Sequence, residues 1–168
     1  MKKVAIYFGS TTGTCESMAY EIADALGVER KHVYNVTELT AEKTGTYDVL
    51  ILGSATWGCG DLQDDWYDGV EILKKADLNN KTIALFSCGD AESYGDTFCE
   101  AMAHIRQAVL GSGCHFIGEV PAEDYRFSAS EAVEDGHFIG LALDEVNESH
   151  LTAERIARWA QQLKPYLE

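Results

Sequence analysis

Apolar positions along this chain fall into short unbroken runs that alternate with stretches of helical spacing. Val4-Ala5-Ile6-Tyr7-Phe8 is apolar at every position and stops at Gly9, which predicts a strand buried on both faces. Met18, Ile22 and the Ala25/Leu26 pair then recur at the spacing of one helix face. The alternation continues with a weaker strand over His32 to Val36 and a strong one at Val49-Leu50-Ile51-Leu52 that ends in Gly53-Ser54. A helical stripe at Trp66, Val70 and Leu73 follows, then a strand from Thr82 to Phe86 and the cleanest stripe, Phe98, Met102, Ile105 and Val109. Cys114 to Val120 reads as a fifth strand and Phe138 to Leu143 as a further β-like stretch, separated by a polar segment, Pro121 to His137, without a clear period. The closing helix is expected to start at Thr152 as its N-cap and to bury Ile156, Ala160 and Leu163.

Five fully apolar strands and five helical segments, with no linker and no repeat, predict one α/β domain over residues 1–168. Its parallel sheet should be covered by helices on both faces. Ligands of such sheets bind beyond the carboxyl ends of the strands, where strand order reverses. The loops after Phe8, Leu52 and Phe86 are therefore the ones that matter.

Composition agrees with this and narrows the partners. The 168 residues are 46% apolar, enough for a core without disulfide or metal support. A net charge of −15 disfavours nucleic acid and anionic membranes, and favours a partner with a basic docking face. The acid is concentrated: residues 44–73 and 82–105 contain no Lys or Arg, yet hold Asp48, Asp61, Asp64, Asp65, Asp68, Glu71, Asp90, Glu92, Asp96 and Glu100. The five cysteines show no paired or metal-ligand spacing, which predicts free thiols in a reducing compartment. The apolar run after Met1-Lys2-Lys3 is too short for a signal peptide, and no run is long enough to span a membrane. A soluble, cytoplasmic protein is expected, and nothing points beyond a monomer.

The first loop, Ser10-Thr11-Thr12-Gly13-Thr14, runs from a strand straight into a helix. Its amides, its hydroxyls and the positive end of the helix suit an anion such as phosphate. It has neither the lysine of a Walker loop nor the glycine pattern of a dinucleotide fingerprint. Ser, Thr and Gly also serve simply as caps and turns, so this loop alone does not decide. The second loop, Ser54-Ala55-Thr56-Trp57-Gly58-Cys59-Gly60-Asp61-Leu62, and the third, Ser87-Cys88-Gly89-Asp90 through Tyr94 to Asp96, each set one large aromatic among small and acidic residues. Together the loops offer a phosphate cradle and two aromatic faces, which fits a flat, aromatic, phosphorylated ligand.

Those residues resemble flavodoxins: the phosphate loop, Thr56-Trp57…Gly60-Asp61-Leu62-Gln63…Asp65-Trp66, Cys88-Gly89-Asp90…Tyr94…Asp96…Phe98, and a tail from Gly140 through Asp144, Asn147, Thr152 and Arg155 to Trp159. The resemblance covers essentially the whole chain. It implies a three-layer sandwich whose five-stranded parallel sheet has the order 2-1-3-4-5, with the last strand interrupted by the insertion of the long-chain subgroup. It implies bound FMN, with Ser10, Thr11, Thr12, Gly13 and Thr14 on the phosphate, Thr56 and Trp57 on the inner side of the ring, and Tyr94 stacked on its outer face. Backbone groups of Gly58, Cys59, Gly89 and Asp90 would meet the ring's polar edge, and Cys15, Ser54, Ala55, Gly60, Ser87, Cys88 and Asp96 complete the expected binding set. In the family the peptide after the position of Gly58 turns over on reduction, so a stable neutral semiquinone is implied. Two positions depart from the pattern: Cys15 stands where a threonine usually contacts phosphate, and Val146 where many members carry an acid near the ribityl chain.

On this reading the protein is a one-electron carrier with an acidic rim of Asp61, Asp64, Asp65, Asp68, Asp90, Glu92 and Asp144. Its partners would be flavoprotein reductases and low-potential iron–sulfur or radical enzymes. The alternative is an FMN-dependent NAD(P)H:quinone or flavin reductase on the same fold, which would need room and positive charge for a dinucleotide. A phosphoacceptor signalling module would need paired acids after the first strand, where Gly9-Ser10 stand instead.

Overall fold

The strands are apolar throughout because the two faces of one sheet bury alternate residues. In the computed structural model, which describes residues 2–168, the elements in chain order are β1 (Val4–Gly9), α1 (Thr14–Leu26), β2 (Val33–Asn35), α2 (Ala41–Gly45), β3 (Val49–Trp57), β4 (Asp61–Leu62), α3 (Trp66–Lys75) and β5 (Thr82–Cys88). They continue with α4 (Ala101–Val109), β6 (His115–Ile117), β7 (Val120–Pro121), β8 (Val133–Glu134), β9 (His137–Phe138), β10 (Leu141–Leu143) and α5 (Ser149–Leu163). Val4, Ile6 and Phe8 of β1, with Val49 and Ile51 of β3 and Ala84 and Phe86 of β5, pack under α1 and α5. The intervening Ala5, Tyr7, Leu50, Leu52, Ile83 and Leu85 pack on the other side against α3, α4 and the segment between β6 and β10. The result is the expected three-layer sandwich.

The parallel sheet runs β2-β1-β3-β5, and both β6 and β10 pair with the outer side of β5. β6 meets its first half, with Thr82 opposite His115, and β10 its second half, with Leu141 opposite Phe86. One strand position is thus filled by two pieces of chain, which is the interrupted fifth strand expected from the sequence. The intervening polar stretch is not irregular: β7, β8 and β9 form a small antiparallel sheet. Its strands are two residues each, too short to print a period on the sequence.

The strands expected over His32 to Val36 and Cys114 to Val120 are shorter, at Val33–Asn35 and His115–Ile117, the one from Thr82 runs on to Cys88, and three further boundaries differ for reasons the structure shows. β3 does not stop at Leu52 but continues to Trp57, because its ladder with β5 reaches Ala55 opposite Cys88 and β4 then pairs with its end. Phe98 precedes α4 rather than opening it, since Cys99 adopts a left-handed φ of 55°. Thr152 is not the cap of the last helix: α5 begins at Ser149, and the buried Thr152 hydroxyl donates to the Glu145 carboxylate.

Candidate functional site

Strand order reverses at β1, which lies between β2 and β3, so the crevice of this sheet opens beyond the ends of β1 and β3. That rule for doubly wound sheets counts the flavodoxin strand order among its type examples. The loop after β1 meets α1 there. Gly13, at φ 92°, holds the left-handed conformation that turns the chain into the helix, and no side chain caps α1. Ser10 Oγ instead accepts from the Gly13 N–H at 3.1 Å. The first intrahelical bond runs from the Ser17 N–H to the Gly13 carbonyl at 3.0 Å, so the N–H groups of Thr14, Cys15 and Glu16 precede it and are open to an anion at the positive end of the helix.

Thr12 and Thr14 reach from this loop into a cleft of about 340 Å³, within the size range of small-ligand sites. Ala55, Thr56, Trp57 and Gly58 form one wall, and Cys88, Gly89, Asp90 and Tyr94 the other. Trp57 and Tyr94 remain 42% and 48% exposed, so two large aromatics present their surface at the same opening. Gly58, at the tip of the β3–β4 hairpin, has φ 49°, and a Cβ there would meet only Asp61 Oδ2, at 3.7 Å.

Several expected residues lie outside that lining. Ser54 and Ser87 are fully buried beneath it, Gly60 is buried against Glu100, and Asp96 is exposed and does not line it. Cys59 is exposed and faces a separate recess beside α4. The Cys15 thiol has no exposure and turns away from the anion loop. The neighbouring Cys88 thiol, together with burial, pushes its pKa up. Only the Cys15 backbone can therefore serve an anion, and the departure from threonine changes the core beneath the loop rather than the loop's donors. The Cys99 thiol, also fully buried, has its pKa pushed up by burial.

The loop that carries Tyr94 is fastened by carboxylates. Asp90 accepts from Ser93 N–H at 3.0 Å, Glu92 N–H at 3.2 Å and Asn147 Nδ2 at 2.9 Å. Those bonds, led by the Ser93 amide, hold its pKa below the usual carboxylate value. Asp144 is not part of an exposed rim. It is fully buried and accepts from Ala91 N–H at 3.1 Å and Asn147 N–H at 2.9 Å. Asp61, Asp64, Asp68 and Glu92 are exposed, while Asp65 and Asp90 are half-buried.

Sequence reasoning missed Thr97 and Glu145, which also line the cleft. Thr97 Oγ1 is buried with no hydrogen-bond partner in the protein, a donor and acceptor left over at the ligand site. Thr97 arrives through the turn before α4, and Glu145, although it stands in the flavodoxin-like tail after β10, carries no signal there that marks it as a cleft residue.

The comparisons with known proteins decide the family. The flavodoxin family pattern matches residues 6–159. Flavodoxin 1 of Escherichia coli is 39% identical over 168 residues, covering 99% of this chain and 96% of that protein. A Picosynechococcus flavodoxin is 40% identical over 166 residues, covering 98% of both. The chain belongs to the flavodoxin family. Among solved structures, Fusobacterium nucleatum flavodoxin bound to flavin mononucleotide superposes with a TM-score of 0.90 at 27% identity, over 100% of both chains. Among the described residues no helix is long and apolar enough to cross a membrane, and no cluster of side chains suits a metal ion.

Proposed function

We propose that this flavodoxin binds FMN in the cleft between Trp57 and Tyr94 and works as a low-potential one-electron carrier. The observation that carries the reading is the convergence on one cleft of two exposed aromatics and an uncapped helix N-terminus. A flat ring with a phosphate on a flexible arm is the ligand shape that uses all three. The unpartnered Thr97 hydroxyl adds a polar group at the same cleft.

FMN, when bound, supplies a ring that takes up and releases electrons singly. The chain's own residues fix where and how. Amides of Thr14, Cys15 and Glu16, with the hydroxyls of Ser10, Thr11, Thr12 and Thr14, hold the phosphate. Trp57 and Tyr94 cover the two ring faces and exclude water from them. Gly58 can reverse its following peptide because its positive φ and open surroundings carry no side-chain penalty, so its carbonyl would be free to accept a hydrogen bond from an N–H at the ring edge.

The walls set the potential. Both aromatic walls come from the two segments that lack Lys and Arg, and the charged residues lining the cleft are Asp90 and Glu145, so added negative charge on a bound ring would meet acids. The electrons held there are strongly reducing for that reason. The same surface disfavours a dinucleotide, and with it the reductase alternative. Partners are flavoprotein reductases and low-potential iron–sulfur or radical enzymes that present basic faces, met by a monomeric, cytoplasmic carrier in which residues 1–168 act as one unit. Association rates should fall with ionic strength.

The binding half of this reading is tested by titrating apoprotein into FMN and following the quenching of flavin fluorescence. One-to-one quenching is expected. Fluorescence unchanged at micromolar protein would remove the cofactor, and the carrier with it.

A further inference from the structure

Gln63 is a buried amide, 3% exposed, in the turn between β4 and α3, and it does not line the cleft. Every polar atom of its side chain is engaged. Nε2 donates to Thr11 Oγ1 and to Asp65 Oδ2, both at 3.1 Å, and Oε1 accepts from the Asp65 N–H at 3.0 Å. The amide cannot flip, since Nε2 would then face the Asp65 N–H and Oε1 the Asp65 carboxylate. A Cβ on Gly9 would stand 2.6 Å from Oε1, so the residue that opens the anion loop is pressed against the same amide.

The backbone of Gln63 points the other way. Its N–H donates to Ser54 Oγ at 3.0 Å, and the Ser54 carbonyl accepts from Ser87 Oγ at 2.7 Å. Ser87 Oγ in turn lies 2.8 Å from Thr56 Oγ1, at the wall that carries Trp57. Hydrogen bonds linked through the residues Gln63 and Ser54 themselves therefore join Thr11, at the phosphate end, to Thr56, at the ring end. A leucine would fill this buried volume without needing partners, so what the amide adds is the linkage.

We infer that Gln63 is a positioning residue that couples the two ends of the cleft, so that an anion held by the loop after β1 raises the affinity of the ring end. The inference rests on the FMN reading and deepens it. Coupling of this kind is reciprocal: whatever orders Thr11 against Gln63 also orders Ser54 and Thr56, and the reverse. Gln63 touches neither ring nor phosphate and acts through Thr11 and Ser54.

Riboflavin, which has the ring and ribityl chain but no phosphate, separates the two ends. Its affinity for the apoprotein is measured by fluorescence quenching without phosphate and at saturating inorganic phosphate. In the unaltered protein phosphate should raise riboflavin affinity by about fivefold or more. In Gln63→Leu the ratio should fall to near one while FMN and riboflavin each still bind. Ser54→Ala, which removes the acceptor of the Gln63 N–H and leaves the phosphate loop intact, should also lower the ratio and decides the matter where Gln63→Leu does not fold. An equal enhancement in the variants and the unaltered protein, or none in the unaltered protein, overturns the coupling. An unaltered protein that binds neither riboflavin nor FMN overturns the cofactor reading itself, and the coupling falls with it.

Discussion

Thr56 Oγ1 lies 2.8 Å from Ser87 Oγ, and the direction of that hydrogen bond is fixed by its neighbours. Ser87 has one hydroxyl proton and gives it to the Ser54 carbonyl, so Thr56 must donate to Ser87. Thr56 Oγ1 also accepts from the Ala101 N–H at 3.3 Å, at the start of α4. The two hydroxyls thus bind the cleft ends of β3 and β5 to the first turn of a helix that has no side-chain cap of its own. Ser87→Ala should cost about 1–3 kcal/mol, because it strands the Thr56 proton as well as losing a bond. Thr56→Val should cost a similar amount, and the double variant less than the sum. Urea midpoints at constant m-value check all three.

Trp57 and Tyr94 should each carry a substantial part of FMN affinity. Replacing either with alanine removes one stacking face and admits water to the ring, with an expected weakening of about tenfold or more, equal to roughly 1.4 kcal/mol. Tyr94→Phe keeps the face and should bind within a few-fold of the unaltered protein. Fluorescence titration of the apoproteins gives the constants.

Gly140 marks the point where the chain returns from the insertion to the sheet. A Cβ there would stand 2.1 Å from the Leu85 carbonyl oxygen, a backbone atom that cannot move aside. Gly140→Ala should therefore destabilise the protein by about 2 kcal/mol or more through overpacking, although alanine is apolar and small. Thermal unfolding followed by circular dichroism tests it.

The central strands β1, β3 and β5 were legible because burial on both faces makes their middles apolar at every position, and the helices because each buries one stripe. Less visible were features set by distant parts of the chain. Asp144 looks like a surface acid until the Ala91 and Asn147 amides close on it. Thr152 has the chemistry of a cap, yet the helix starts a turn earlier and its hydroxyl finds Glu145 instead. Trp57 and Tyr94 stood out because each is a large aromatic set among small and acidic loop residues, whereas the hydroxyls gained meaning only beside them. Thr97 and Glu145 did not stand out, since only the fold brings them to the opening.

Asp90 should make the Tyr94 loop acid-sensitive. Its amide and Asn147 hydrogen bonds depress its pKa in the folded protein, so the stability it contributes is complete above its unfolded value of about 3.9. That contribution is lost as pH falls through the lower, folded value. Asp90→Asn should therefore flatten the dependence of the urea midpoint on pH below about pH 4. An unchanged acid limb would contradict this role.

The thiols should differ sharply in reactivity. Cys59 is exposed, whereas Cys15 and Cys99 are fully buried with their pKa values pushed up. Brief treatment of the native protein with iodoacetamide at pH 8 should label Cys59 first and leave Cys15 and Cys99 untouched, as read by peptide mass spectrometry. Cys59→Ser should leave stability within about 0.5 kcal/mol, as for most exposed positions.

The central claim is tested most directly by anaerobic titration of the FMN-loaded protein with dithionite, followed across the visible spectrum. The account predicts reduction in two separated one-electron steps, with NADPH alone leaving the protein oxidised. Reduction in a single two-electron step, driven readily by NADPH without another protein, would contradict it.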